Sequence, residues 1–179
     1  RNTNRPEDRG TMIVPSLPKS RRPKIITGVA GKTGFSCIHV EKAMMNVEVG
    51  FGAKLLTILA EHNISFEHCP TGIDTMSVFI DTDNIKADIG DVLDEIREKL
   101  NPDVMELEGK FALIAVVGQG MVYTRGVAAR LLGQLYEDCV DIHMIDQGSS
   151  GMNIIIGVDE EDYPRALNSC YKVSKEMNW

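Results

Sequence analysis

The sequence predicts an α+β fold built from two copies of one unit, and three observations predict it. First, "GFGAKLLTILAEHNISFEHCP" from Gly50 returns as "GVAARLLGQLYEDCVDIHMID" from Gly126, 76 positions later (126 − 50). Second, the same offset relates Phe35 to Phe111, Ile38 to Ile114, Met45 to Met121, Leu55 to Leu131, Leu59 to Leu135, Gly72 to Gly148 and Met76 to Met152. Two amphipathic helices can look alike by chance, but chance does not also match the strands on both sides without an insertion. Third, each copy alternates between an apolar period of two and helical spacing in the same order, which reads as strand, helix, strand, strand, helix.

In the first copy "FSCIHVEK", Phe35 to Lys42, alternates as a strand, and "GFGAKLLTILAEHN" carries Leu and Ile at helical spacing. "ISFEHCPT" and "TMSVFID" then form a hairpin. The helix "IKADIGDVLDEIREKL" stops before Asn101-Pro102, since proline cannot donate to the next turn, and the short strand "DVMELE" closes the unit. The second copy runs as "FALIAVVG", a helix over 125–138, strands over 140–147 and 152–158, and a last helix opened by "DEEDYP", whose acids suit a helix N-terminus. It is one strand short, and the apolar "KIITGVA", Lys24 to Ala30, lies free to supply it. A four-stranded antiparallel sheet with two helices on one face is the ferredoxin-like βαββαβ arrangement. The expectation is therefore two such domains, 32–108 inserted within 24–31 plus 109–179. Residues 1–23 hold four of the seven prolines and six Arg or Lys, and read as a linker or the tail of a preceding domain.

Charge and composition exclude several functions. A formal charge of −7 and a pI near 5.1 oppose nucleic acid or an anionic membrane as the main partner, because both demand a basic footprint. No apolar run approaches the roughly 20 residues of a spanning helix, and a cytoplasmic setting is expected. Cys37, Cys69, Cys139 and Cys170 lie far apart without CxxC spacing and read as reduced, mostly buried thiols. The chain starts at Arg1 without a methionine, as part of a longer protein would.

Gly31-Lys32-Thr33 looks like the end of a phosphate-binding loop, but Ile26 stands where its first glycine belongs. A turn joining "IITGVA" to "FSCIHV" explains the glycines instead. Gly118 and Gly120 follow a strand, yet Tyr123 occupies the third glycine of a dinucleotide fingerprint. His39, His62, His68 and His143 form no close pair, so no metal site is expected, and no serine or cysteine has a nucleophile context. "MNVEVGF", Met45 to Phe51, is different, because it delivers a glycine into a helix start where the N–H groups of Gly50, Phe51 and Gly52 can hold a carboxylate. Capping by water or Asn46 is the plain alternative. Phe66 and Glu67, on the following strand, are expected at the same end of the sheet, so that a zwitterionic amino acid would find an anion seat beside an anionic side chain. His143 takes the place of Glu67 in the second copy, which suggests that one copy binds and the other supports.

"RNTNRPEDRGTMIV", the run from "GFSCIHVEK" to "CPTGIDTMSV", "ALIAVVGQGMVYTRGVAARLLGQL" and "IHMIDQGSSGMNIIIGV" together resemble the carboxy-terminal regulatory region of aspartate kinases, with its tandem ACT domains. The resemblance covers nearly the whole chain. It implies that the first residues end an amino-acid kinase domain and that one ACT unit is inserted in the other. It implies a parent that phosphorylates L-aspartate with ATP and Mg, whereas this chain lacks the "KFGG" motif and by itself is expected to be no enzyme, with no catalytic residue, metal or cofactor. Effector contacts would fall on Met45, Val47, Glu48, Gly50, Phe51, Gly52, Phe66, Glu67, Thr71 and Asp74, with Glu48 and Glu67 taking the ammonium groups of lysine. Lysine, with threonine a further candidate, would exert feedback inhibition at an interface of a homodimer formed through the ACT domains and coupled to the kinase domain of the same chain. A non-sensing ACT dimerisation module is the alternative, and an independent small enzyme is the weakest reading.

Overall fold

The computed structural model describes residues 6–7, 23–85 and 89–178, so most of the expected linker lies outside the described residues. Among the described residues ten strands and α-helices follow one another: β1 (Gly28–Glu41), α1 (Phe51–Glu61), β2 (Phe66–His68), β3 (Thr75–Asp81), α2 (Ile89–Leu100), β4 (Val104–Val117), α3 (Val127–Glu137), β5 (Met144–Asp146), β6 (Asn153–Asp159) and α4 (Tyr163–Met177). Short 3-10 turns, Met45–Val47 and Gln119–Tyr123, lead into α1 and α3.

The six strands form one antiparallel sheet in the order β2-β3-β1-β4-β6-β5. β1 and β4 are each fourteen residues long and run through both halves. Residues 35–41 of β1 pair with β3 and with the first part of β4, whereas residues 28–33 pair with 112–117 beside β6 and β5. Each half is thus a four-stranded, two-helix ferredoxin-like unit, but the two sheets are continuous where two separate ones were expected.

The same continuity corrects the expected turn between "IITGVA" and "FSCIHV". No hairpin forms there, because the chain stays extended and Gly34, at φ 86°, makes only a bulge in the pairing with β4. Gly31 serves packing: a Cβ there would lie 2.5 Å from the ring of Tyr163. Gly118 and Gly120 likewise allow backbone to approach, since added Cβ atoms would meet the carbonyl oxygens of Ile25 at 1.9 Å and Lys24 at 2.5 Å. Asn178, just after α4, fixes this segment by accepting from Ile25 N (2.9 Å) and donating to Ile26 O (2.6 Å).

Helices α1 and α2 cover one half of the sheet and α3 and α4 the other. Ile38, Val40, Val78 and Ile80 pack under Leu55, Leu59, Val92 and Ile96 in the first half. Ile114, Val116, Ile154 and Ile156 pack near Leu131, Leu135, Ala166 and Val173 in the second. Burying one such side chain fully is worth about 1.5–3 kcal/mol, so the repeated leucines are the main reason both halves keep the same shape. Register refines the repeat: Val40 lies opposite Met76, while its counterpart Val116 lies opposite Ile154. The equivalent of buried Met76 is therefore Ile154, and Met152 is exposed, which places two extra residues in the second β5–β6 connection.

On the face away from the helices, Phe35, Cys37, Phe79, Phe111 and Met144 form a third cluster. Phe35 and Phe111 are opposite each other in the β1–β4 register, at the midpoint of the two long strands. Around this cluster the sheet curls until its outer strands meet: His68 Nε2 on β2 stands 3.6 Å from Asp146 Oδ2 on β5. Cys37 and Cys170 are buried, and burial pushes both thiols up to about 11. Cys69 is half-buried and Cys139 is exposed, contrary to the expectation of mostly buried thiols.

Candidate functional site

The start of α1 combines an open backbone with a cluster of charge. Gly50, the residue before the helix, has φ 85° and ψ 7°, a left-handed conformation that favours glycine, and no side chain caps the helix. Lys54 N donates to Gly50 O at 2.9 Å as the first helical bond, and Phe51 N reaches Glu48 O at 3.3 Å. Among the described residues the N–H groups of Gly50, Gly52 and Ala53 have no acceptor, as expected of an uncapped helix N-terminus.

Glu48 lies in the turn just before these N–H groups, and its carboxylate is held from both sides. Lys42 Nζ lies 2.7 Å from one carboxylate oxygen and Lys54 Nζ 2.9 Å from the other. The hydrogen bonds from Lys42 and then Lys54 hold the Glu48 carboxyl below the ordinary glutamate value. Lys42 also donates to Leu100 O at 2.7 Å and lies 5.7 Å from the centre of the Phe51 ring, so it is fixed from several directions. Lys54 is half exposed and free to exchange its partner. Two ammonium groups against one carboxylate, next to unpaired N–H groups, suit a ligand carboxylate.

The expected residues divide into two groups. Met45 is buried in the turn before α1, Gly52 lies over Met76, and Met76 bridges to Thr71. Asp74 O accepts from Lys42 N at 2.9 Å, which ties the β2–β3 connection to the same place. Met45, Glu48, Gly50, Phe51, Gly52, Thr71 and Asp74 are therefore gathered at one end of the sheet, with Val47 exposed at its rim. Phe66 and Glu67 are not at that end. Phe66 pairs with Ile80, which pairs with Ser36, whereas the helix start adjoins the row of Glu41 and Thr75. Five residues of strand separate the rows, roughly 16 Å at the usual rise. Glu67 instead adds its negative charge to the surroundings of Lys32, the partner of Asp81. The expectation that Glu67 stands beside the anion seat fails within one chain, because β2 runs parallel to β1 and its first residues lie at the middle of the sheet.

Lys42 and Lys54 escaped the sequence reading. Their signal is present: a lysine in the first turn of a helix opposes the helix dipole, and a charge placed against that field invites explanation. The second copy has no such clasp. Gly118, Thr124 and Arg130 occupy the places of Lys42, Glu48 and Lys54; Thr124 Oγ1 donates to Gly120 O at 2.9 Å and Arg130 pairs with Glu176 at 3.0 Å. His143, in the place of Glu67, lies 3.1 Å from Asp159 and packs edge-on against Phe111.

Residues 114–173 match the family model of the ACT domain. Over 173 residues the chain is 38% identical to Aspartokinase 3 of Bacillus subtilis, covering 96% of this chain and 38% of that protein. The crystal structure of Clostridium acetobutylicum aspartate kinase superposes with a TM-score of 0.89 at 41% identity, over 98% of this chain and 41% of that one. The chain belongs to the ACT-domain regulatory regions of aspartate kinases. The regulatory subunit of aspartate kinase from Thermus thermophilus has the same fold, with a TM-score of 0.70 at 20% identity over 83% of this chain and 98% of that one. The aspartate kinase regulatory region seen here thus spans about two fifths of the Bacillus and Clostridium relatives. Among its described residues no helix is long and apolar enough to cross a membrane, and no three His, Cys, Asp or Glu side chains gather as metal ligands.

Proposed function

We propose that this regulatory region senses a free amino acid, lysine first and threonine second, for feedback inhibition of an aspartate kinase that uses ATP and Mg to phosphorylate L-aspartate. The observation that carries the reading is the uncapped start of α1, with Gly50 in the left-handed conformation and Lys54 beside open N–H groups. The effector carboxylate sits on those N–H groups and takes Lys54 from Glu48, which frees Glu48 to accept an ammonium group. Glu67 is exposed on the outer strand β2, where it can reach a ligand held by a second copy, so a homodimer completes the site. The same pairing pattern supports reading residues 32–108 as one ACT unit inserted in another made of 24–31 and 109–179.

Thermal unfolding in the presence of lysine, threonine and methionine tests this. A ligand at 100 times its Kd raises folding stability by about 2.7 kcal/mol, an easily measured shift in Tm. Lys54→Met and Glu67→Ala abolish the lysine response while His143→Ala preserves it. Silence toward all three amino acids would favour the alternative of a non-sensing dimerisation module.

A further inference from the structure

The curled face of the sheet, opposite the helices, bounds a cavity of about 370 Å³, and Thr71 stands at its edge as well as near the effector seat. That volume lies within the range of roughly 300–1,000 Å³ typical of small-ligand sites. Its walls come from both halves: Thr75, Ser77 and Phe79 of β3 on one side, Met144 and Ile145 of β5 on the other, and Glu108 and Phe111 of β4 between them. The rings of Phe79 and Phe111, 5.7 Å apart and edge-on, make an apolar floor.

The charges around the cavity are one-sided. His39, on its wall, bonds Ser77 through Nδ1 (3.1 Å) and Glu41 through Nε2 (2.9 Å). His143, on the opposite wall, pairs with Asp159, and His68 nearby faces Asp146. Each of those carboxylates has a histidine beside it. Glu108 has no cationic partner among the described residues, and no lysine or arginine lines the cavity. Its field reaches inward, because it helps to raise the Cys37 thiol after the larger effect of burial. An exposed carboxylate on the rim of a cavity that also offers an apolar floor and hydroxyl groups calls for a ligand with one cationic end and a short carbon chain. The described residues include no cluster of three metal-ligating side chains, so an organic cation fits where a metal ion does not.

We propose that this cavity is a second ligand site, on the opposite face of the sheet from the effector seat, for a small organic cation: a primary ammonium held by Glu108 with its carbon chain on Phe79 and Phe111. A ligand there touches the β2–β3 connection (Pro70, Thr71) of the first half and β5 of the second, so its occupancy sets how closely the outer strands approach across the His68–Asp146 contact. It would tie the two repeats together without touching the start of either helix.

The test uses the protein with methyl-labelled methionine, followed by NMR during titration with n-butylamine at neutral pH, and with 1-butanol and butyrate as neutral and anionic controls. The expected result is a saturable shift of the Met144 methyl with n-butylamine, binding about tenfold or more weaker for 1-butanol, and none for butyrate. Glu108→Gln weakens the amine by a similar factor, while Lys54→Met, which disables the effector seat, leaves it unchanged. Should Glu108→Gln fail to fold, Thr75→Leu, which fills the cavity from the other wall, excludes the amine instead. Equal binding of 1-butanol and n-butylamine, unchanged affinity in a folded Glu108→Gln, or no saturable shift of Met144 would each overturn the proposal.

Discussion

At the start of α1, Gly50 holds φ 85° and the carboxylate of Glu48 lies between two lysines; at the start of α3, Gly126 holds φ 81° and a threonine hydroxyl stands where Glu48 would be. At these two glycines the backbone agrees within a few degrees, because both helices must leave a 3-10 turn and bury the same leucines against the same sheet. The rim side chains carry no such obligation. Once the backbone is set by packing, exposed charges can change at little expense in stability, and the first copy carries a clasp that the second lacks. The difference teaches that the duplicated part is the frame and the part that diverged is the chemistry.

The comparison can be broken or sharpened by paired substitutions. The largest effects are expected in the shared core: Leu55→Ala and Leu131→Ala, both at fully buried sites, should each lower stability by about 2–5 kcal/mol in chemical denaturation. A wide gap between the two would break the equivalence of the halves. Next are the glycines. No atom lies within 4 Å of a Cβ added at Gly50 or Gly126, so Gly50→Ala and Gly126→Ala test backbone strain alone and should each cost roughly 1–2 kcal/mol. A much smaller loss at one site would show that its turn relaxes out of the left-handed region.

A third pair should separate the copies by pH. The two lysines hold Glu48 below 4.5, its ordinary value, so the unfolded chain binds more protons there than the folded one as the solution is acidified. The stabilisation is present in full above 4.5 and disappears as pH falls through the depressed value. The Tm difference between the parent and Glu48→Gln should therefore be greatest at neutral pH and vanish in strong acid, whereas Thr124→Val should show a difference that does not depend on pH. The smallest effect is expected at the site of the remaining polar difference. His143→Ala removes a partly exposed contact with Asp159 and Glu67→Ala an exposed side chain, and each should change stability by no more than about 1 kcal/mol.

Much of the frame was legible. Leucines repeating at an offset of 76 marked α1 and α3, proline after Asn101 marked the end of α2, and acids before Pro164 marked the start of α4. The turn before β6 was harder, since Met76 and Met152 align by type while the sheet aligns Met76 with Ile154. A two-residue slip keeps side-chain alternation intact and so leaves no trace in the periodicity. Within the site, the glycine at the helix start was readable because few residues accept that conformation. The positions of Lys42 and Lys54 around Glu48 were not, since three side chains spaced six apart meet only when a strand end, a turn and a helix fold back on one another.

By itself, the sequence determined that two βαββαβ units would form, which faces of their elements would be buried and where the first helix would open, because periodicity and glycine act over a few residues. Only the tertiary structure decided that β1 and β4 run unbroken through both units, that Glu67 lies about five residues of strand from the helix start, and that β2 and β5 curl together. Those outcomes depend on strand register and sheet curvature, which arise from contacts between residues far apart in the chain.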